Sequence, residues 1–153
     1  MKFKYSEKIK ELGIINCPPN ECDVVTDVGF YYRWVHENLN HNDNFIPVLE
    51  ISPKRIGKPK FNTNTEKCSG FALSMHNTLE NSFNHFYNVL ADVPNFFQIV
   101  GGHVAELKIS TNDGYRTMPS QKPFDTGHFD FYEQQEINWV ERISNTFEIK
   151  NKL

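Results

Sequence analysis

The stretch from residue 70 to residue 90 limits the possible folds more than any other, because it passes from an alternating pattern to a helical one across a polar junction. Gly70-Phe71-Ala72-Leu73-Ser74-Met75 alternates, so Phe71, Leu73 and Met75 face one way and Ala72, Ser74 and His76 the other. Asn77-Thr78-Leu79-Glu80 has the form of a capping box, with Asn77 as cap and Glu80 three positions on. Leu79, Phe83, Phe86, Tyr87 and Leu90 then recur at helical spacing, and Pro94 marks the limit of the helix. A strand feeding an amphipathic helix over about 77–91 needs further strands to pack against.

Those strands are written nearby. Val28 to His36 is rich in β-formers. His103 to Ile109 alternates, with Glu106 and Lys108 on one side and Ala105, Leu107 and Ile109 on the other. His128 to Tyr132 puts His128, Asp130 and Tyr132 on one face, Phe129 and Phe131 on the other. Phe45 to Ile51 reads as an edge strand because of Pro47, Phe96 to Val100 as another strand, and Ser52 to Lys67 as a long surface loop. Ser6 is placed to cap a short helix that Gly13 stops, and Ile137 to Ile149 suits a short helix and a last strand. The expectation is an α+β fold: a single domain over 1–153, a mixed, mostly antiparallel sheet, one main helix and short terminal helices.

A chain of 153 residues fits one core. The formal net charge of -3 argues against non-specific nucleic-acid binding, which shows as a basic excess. Lys54, Arg55, Lys58 and Lys60 form only a short basic stretch broken by Pro53, Gly57 and Pro59. No apolar run approaches a membrane span or the core of a signal peptide, so no membrane association is expected. The three cysteines, Cys17, Cys22 and Cys68, read most simply as reduced thiols in a cytoplasm. The six histidines match no standard zinc spacing.

Three constellations have chemical potential. The first is the junction carrying Ser74 and His76, where a helix N-terminus offers free N–H groups to an anion. The second is His128-x-Asp130, in which a carboxylate beside an imidazole suits a general base, read here as the surface face of an edge strand. The third is Arg33 within Tyr31-Tyr32-Arg33-Trp34. An Arg there is costly to bury alone, so it sits at an edge or grips a carboxylate or phosphate, with Tyr32 and its neighbours able to stack on a base. No Walker loop, nucleophile elbow or dinucleotide fingerprint is present, and His76-Asn77-Thr78 has no second copy of the His-x-Thr/Ser signature that two-histidine phosphoesterases need.

An early strand with Arg33, a Gly-aromatic-x-Leu-Ser strand from Gly70 to Ser74 leading into a helix, and later strands with an acid resemble the ADP-ribosyltransferase fold. The resemblance covers about half of the chain, from Val28 to Val104. It implies that Arg33 holds NAD, that the Ser74 strand supports the nicotinamide pocket, and that a late Glu drives transfer. Glu106 and Glu133 compete for that last role, and neither stands in the Glu-x-Glu or Gln-x-Glu form common among arginine-directed members. Met75 and His76 follow Ser74 where the family has Thr-Ser.

Three readings follow. A domain of bacterial or phage type, of the toxin or immunity kind, would bind or act on a nucleotide such as NAD through Arg33, Tyr32, Ser74 and His76, with Glu106 or Glu133 as acid. A non-enzymatic immunity protein or phage-related inhibitor would capture a protein partner or a nucleotide. A hydrolase would use His128 and Asp130.

Overall fold

The structure, a computed structural model, describes residues 2–25, 28–135 and 137–150. In chain order its elements are α1 (Ser6–Glu11), β1 (Asp23–Val24), β2 (Gly29–Val35), α2 (Val48–Ile51), a 3-10 turn at Pro53–Arg55, α3 (Asn64–Ser69), β3 (Leu73–His76), α4 (Leu79–Asp92), α5 (Phe96–Val100), β4 (His103–Ile109), β5 (Gly114–Arg116), β6 (His128–Glu133), α6 (Trp139–Arg142) and β7 (Ile143–Glu148). The strands form one seven-stranded sheet in the order β1-β5-β6-β3-β2-β4-β7. Among the described residues every pairing is antiparallel, so the sheet is not mixed. The fold is α+β, as expected.

Period-two patterning places the core. Leu73 and Met75 of β3, Phe129 and Phe131 of β6, and Ala105, Leu107 and Ile109 of β4 are buried together on one face with Val35 and Trp139. On the other face two separate clusters form. Phe86 and Phe96 of α4 and α5 pack against Trp34, Tyr32 and Val104. Phe3, Ile9, Leu49, Cys68, Phe71, Ala72 and Tyr132 make the second, under α1, α2 and α3. Ser74, His76, His128 and Asp130 lie on this same face by alternation, on the two central strands between the clusters. A polar run in the middle of a sheet face cannot be closed over by apolar side chains without burying unpaired groups.

Four local expectations are corrected. Phe45 to Ile51 is not an edge strand: Pro47 stands just before α2, where its missing N–H costs nothing. Phe96 to Val100 is helix, ended by Gly101 at φ 86, and a Cβ on Gly101 would fall 2.2 Å from the Val35 carbonyl oxygen. Ser52 to Lys67 is not one loose loop, because Thr63 and Glu66 form a reciprocal capping box that starts α3. The cap of α4 is Thr78, whose side chain accepts from the Asn81 N–H, while Asn77 Oδ1 accepts from Asn81 Nδ2. The cysteines are not all reduced: Cys17 and Cys68 are joined by a disulfide and Cys22 is free. No helix among the described residues is long and apolar enough to cross a membrane.

Candidate functional site

β2 and β4 are in register along the whole of β2, but β2 meets β3 at a single pair, Tyr32 with His76. Continuing that register would set Trp34 opposite Ser74, and there the two strands part. Arg33 takes the place of the missing ladder bond: its Nη1 donates to the Ser74 carbonyl at 2.9 Å. Its Nε donates to the Asn44 carbonyl at 2.6 Å. Asn44 is itself buried, held by Nδ2 donating to the Asn38 carbonyl and by Oδ1 accepting the His36 N–H at 2.7 Å. The expectation of an edge position for Arg33 is therefore wrong. β2 is interior, and an Arg is tolerated in it because the sheet opens beside it.

A cleft of about 400 Å³ lies at this opening. Arg33, Ser74, His128 and Asp130 line it, with Trp34, Val48, Ile51 and Ile99 among its apolar walls and Arg55 at its side. That volume falls in the range of small-ligand sites. Among the described residues no carboxylate stands within 4.0 Å of the Arg33 guanidinium. Desolvation lowers its pKa to about 10, opposed by the more distant charge of Glu133. Loss of water disfavours the charged form here, and an anion in the cleft would restore the balance.

β6 is not an edge strand either; it lies between β5 and β3. Ser74 and Asp130 are directly opposed, as are His76 and His128. Diagonal neighbours on one face come within reach, and Ser74 Oγ stands 2.6 Å from His128 Nε2. Asp130 does not hydrogen-bond the imidazole. Its Oδ2 accepts from Ser69 Oγ at 2.7 Å, and burial pushes its pKa up. On the side of the second ring nitrogen stands Asp125, whose Oδ2 is 4.0 Å from His128 Nδ1.

The remaining predicted residues lie elsewhere. His76 is buried with Nε2 2.8 Å from His85 Nδ1, and Trp34 packs against both rings. At the start of α4 the Thr78 side chain accepts the Asn81 N–H, and that helix end is absent from the cleft lining, so the cleft does not use the helix N-terminus expected to hold an anion. Tyr32 turns to Glu106, donating Oη–H to Oε2 at 2.9 Å, and Ser144 Oγ donates to Oε1 at 2.7 Å. Glu133 is buried against Trp139, whose Nε1 donates to it at 2.7 Å. Neither acid lines the cleft. No group of three metal-type side chains converges among the described residues.

Asn44 and Asp125 escaped the sequence reading because loop residues carry no periodic signal. A second omission was legible: Gln134-Gln135-Glu136, directly after β6, is itself a Gln-x-Glu triplet. Glu136 lies outside the described residues. No family model, curated protein or solved structure matches the chain.

Proposed function

We propose that the cleft binds a nucleotide, NAD in particular, and that the chain is an ADP-ribosyltransferase-like protein. The observation that carries this is Arg33: a guanidinium bonded to two backbone carbonyls and, among the described residues, to no carboxylate, in the lining of the cleft that also holds Ser74. A diphosphate supplies the missing negative charge, and an Arg fork grips it in two places. Trp34 and Phe61 offer rings on the same wall. The strands the resemblance uses are neighbours in the sheet: β3, carrying Ser74, lies between β2, carrying Arg33, and β6, which ends at Glu133, while β4, carrying Glu106, lies on the other side of β2. Glu106 and Glu133 are held in other contacts, and Glu136 of the Gln-x-Glu triplet is a third candidate acid on sequence alone. A carboxylate at the scissile glycosidic carbon stabilises the cationic transition state of such transfers.

Melting with NAD tests the reading. A ligand at about a hundred times its dissociation constant adds about 2.7 kcal/mol. Wild type should shift and Glu136→Gln should shift as much while losing NAD turnover. If no nucleotide moves the melting point, the binding-protein reading takes its place.

The cytoplasmic placement expected from the cysteines also changes. Disulfides persist in oxidising compartments, so we infer that the folded chain works where Cys17–Cys68 stays oxidised. Thiol titration of protein unfolded without reductant should count one thiol, Cys22. A count of three would restore the cytoplasmic reading.

A further inference from the structure

We propose that Ser74 and His128 form a nucleophile–base pair that hydrolyses small carboxylic esters bearing an anionic group. Ser74 Oγ is 2.6 Å from His128 Nε2, within the reach a general base needs to take a hydroxyl proton. Both groups line the cleft, so an ester seated there meets the hydroxyl and the imidazole together. Arg33, bonded to the carbonyl of Ser74 itself, fixes a positive charge beside the attacking residue and takes the anionic group of the substrate.

Asp125 is a positioning residue. At 4.0 Å its carboxylate is too far for a hydrogen bond to Nδ1, but it faces that side of the ring, and its carbonyl accepts the His128 N–H at 2.9 Å. Ser120 Oγ in turn donates to Asp125 Oδ1 at 2.7 Å. Gly127, at φ 82, turns the chain between them, and a Cβ there would meet Asn77 Oδ1 at 2.2 Å. The other titratable groups around His128 are His76 and His85, with ring centroids 5.5 and 5.4 Å away, and Asp130 opposite Ser74. Burial first, then His128, lowers the pKa of both of these histidines.

In the first step Ser74 Oγ bonds to the acyl carbon as its proton passes to Nε2. The bond from that carbon to the alcohol oxygen breaks, and the alcohol leaves with the proton from Nε2. Water then attacks the acyl-Ser74 carbon and gives a proton to Nε2. The carbon–Oγ bond breaks, Oγ recovers the proton, and the carboxylic acid departs. Water is the only co-reactant.

The test uses the intact chain, a fluorophosphonate probe mapped by mass spectrometry, and hydrolysis of mono-p-nitrophenyl succinate. The probe should label Ser74, and His128→Ala should lower hydrolysis by about 100-fold or more. Asp125→Asn should lower it less, in kcat with KM unchanged, as expected of a residue that positions the imidazole. If Ser74→Ala does not fold, Ser74→Cys carries the test: its alkylation by iodoacetamide should slow when His128→Ala is added. The succinyl ester should be cleaved faster than p-nitrophenyl acetate, a preference that Arg33→Ala removes. Labelling elsewhere, no labelling, or an unchanged rate in His128→Ala would overturn the pair; equal rates on the two esters would overturn the substrate class. None of these outcomes depends on NAD, whose binding is read separately by melting.

Discussion

Arg142 meets Asp113 with both ends of its guanidinium, Nη1 to Oδ2 and Nη2 to Oδ1, and Asp113 also accepts the Ser110 N–H. Arg33, on β2, donates to the carbonyls of Asn44 and Ser74 and, among the described residues, has no carboxylate within 4.0 Å. Arg142 closes a bidentate ion pair at the β4–α6 side, and its pKa is raised by that hydrogen bond. Arg33 is lowered by desolvation. The two cations thus differ in what completes them. One is completed within the protein; the other lines a cleft with no carboxylate within 4.0 Å among the described residues, and the proposed reading assigns it to binding.

The comparison breaks if the two arginines behave alike. Arg142→Ala leaves Asp113, only 3% exposed, without its partner. Breaking a buried pair this way costs about 3 kcal/mol, the lower end of its usual range because Arg142 keeps contact with water. Urea unfolding should show that loss, and the protein should retain its NAD-induced shift. Arg33→Ala should do the reverse in binding: the ligand increment of about 2.7 kcal/mol at a hundredfold excess vanishes. Arg33→Lys should restore only part of it, since an ammonium keeps the charge without the fork. Equal loss of the NAD shift in Arg142→Ala and Arg33→Ala would dissolve the distinction.

The strands that matter were readable: β3, β4 and β6 because their residues alternate, and β2 because its run is rich in β-formers. Short apolar runs were not. Phe45 to Ile51 and Phe96 to Val100 are too brief for periodicity to separate strand from helix, and Val48–Ile51 and Phe96–Val100 are helical. Arg33, Ser74, His128 and Asp130 were each conspicuous as residues. Their meeting was not, because it depends on the order β6-β3-β2 and on the parting after Tyr32 and His76. The same order sends Glu106 to the Tyr32 side and seals Glu133 below the opposite face. The Cys17–Cys68 bond spans 51 residues, a pairing that spacing alone does not specify.

The histidines sharpen the contrast between open and sealed groups. Burial first, then His128, lowers the His85 pKa from 6.5 to about 4. Burial, with His128 and His85, lowers that of His76 to about 2. A depressed imidazole contributes stability that is complete above its unfolded pKa and is lost as the pH falls through the folded value. Melting temperature should therefore decline from about pH 6.5 downward, through the folded value of about 4 for His85. His85→Asn should flatten that limb. An acid limb unchanged by the substitution would mean that this pair is not what acid attacks.

The smallest effect concerns Glu133, which links the sealed side to the open one. Burial raises its pKa, against the Trp139 hydrogen bond and the charges of Lys4 and Arg33. Its Oε1 is buried without a hydrogen-bond partner. A carboxyl with a raised folded pKa favours the native state most when protonated, so its contribution falls as the pH climbs past the unfolded value. Glu133→Gln keeps an acceptor for Trp139 and removes the charge. Wild type and variant should have matching stability in acid and separate as the pH rises, with the variant the more stable at neutrality. Glu133 is also the distant charge that supports the Arg33 cation. Without it, Arg33 depends more on a ligand for compensation, so an anion in the cleft should bind slightly tighter to Glu133→Gln than to wild type. Titrating the melting shift with NAD reads this directly, and weaker binding by the variant would mean that Glu133 shapes the cleft rather than merely opposing its charge.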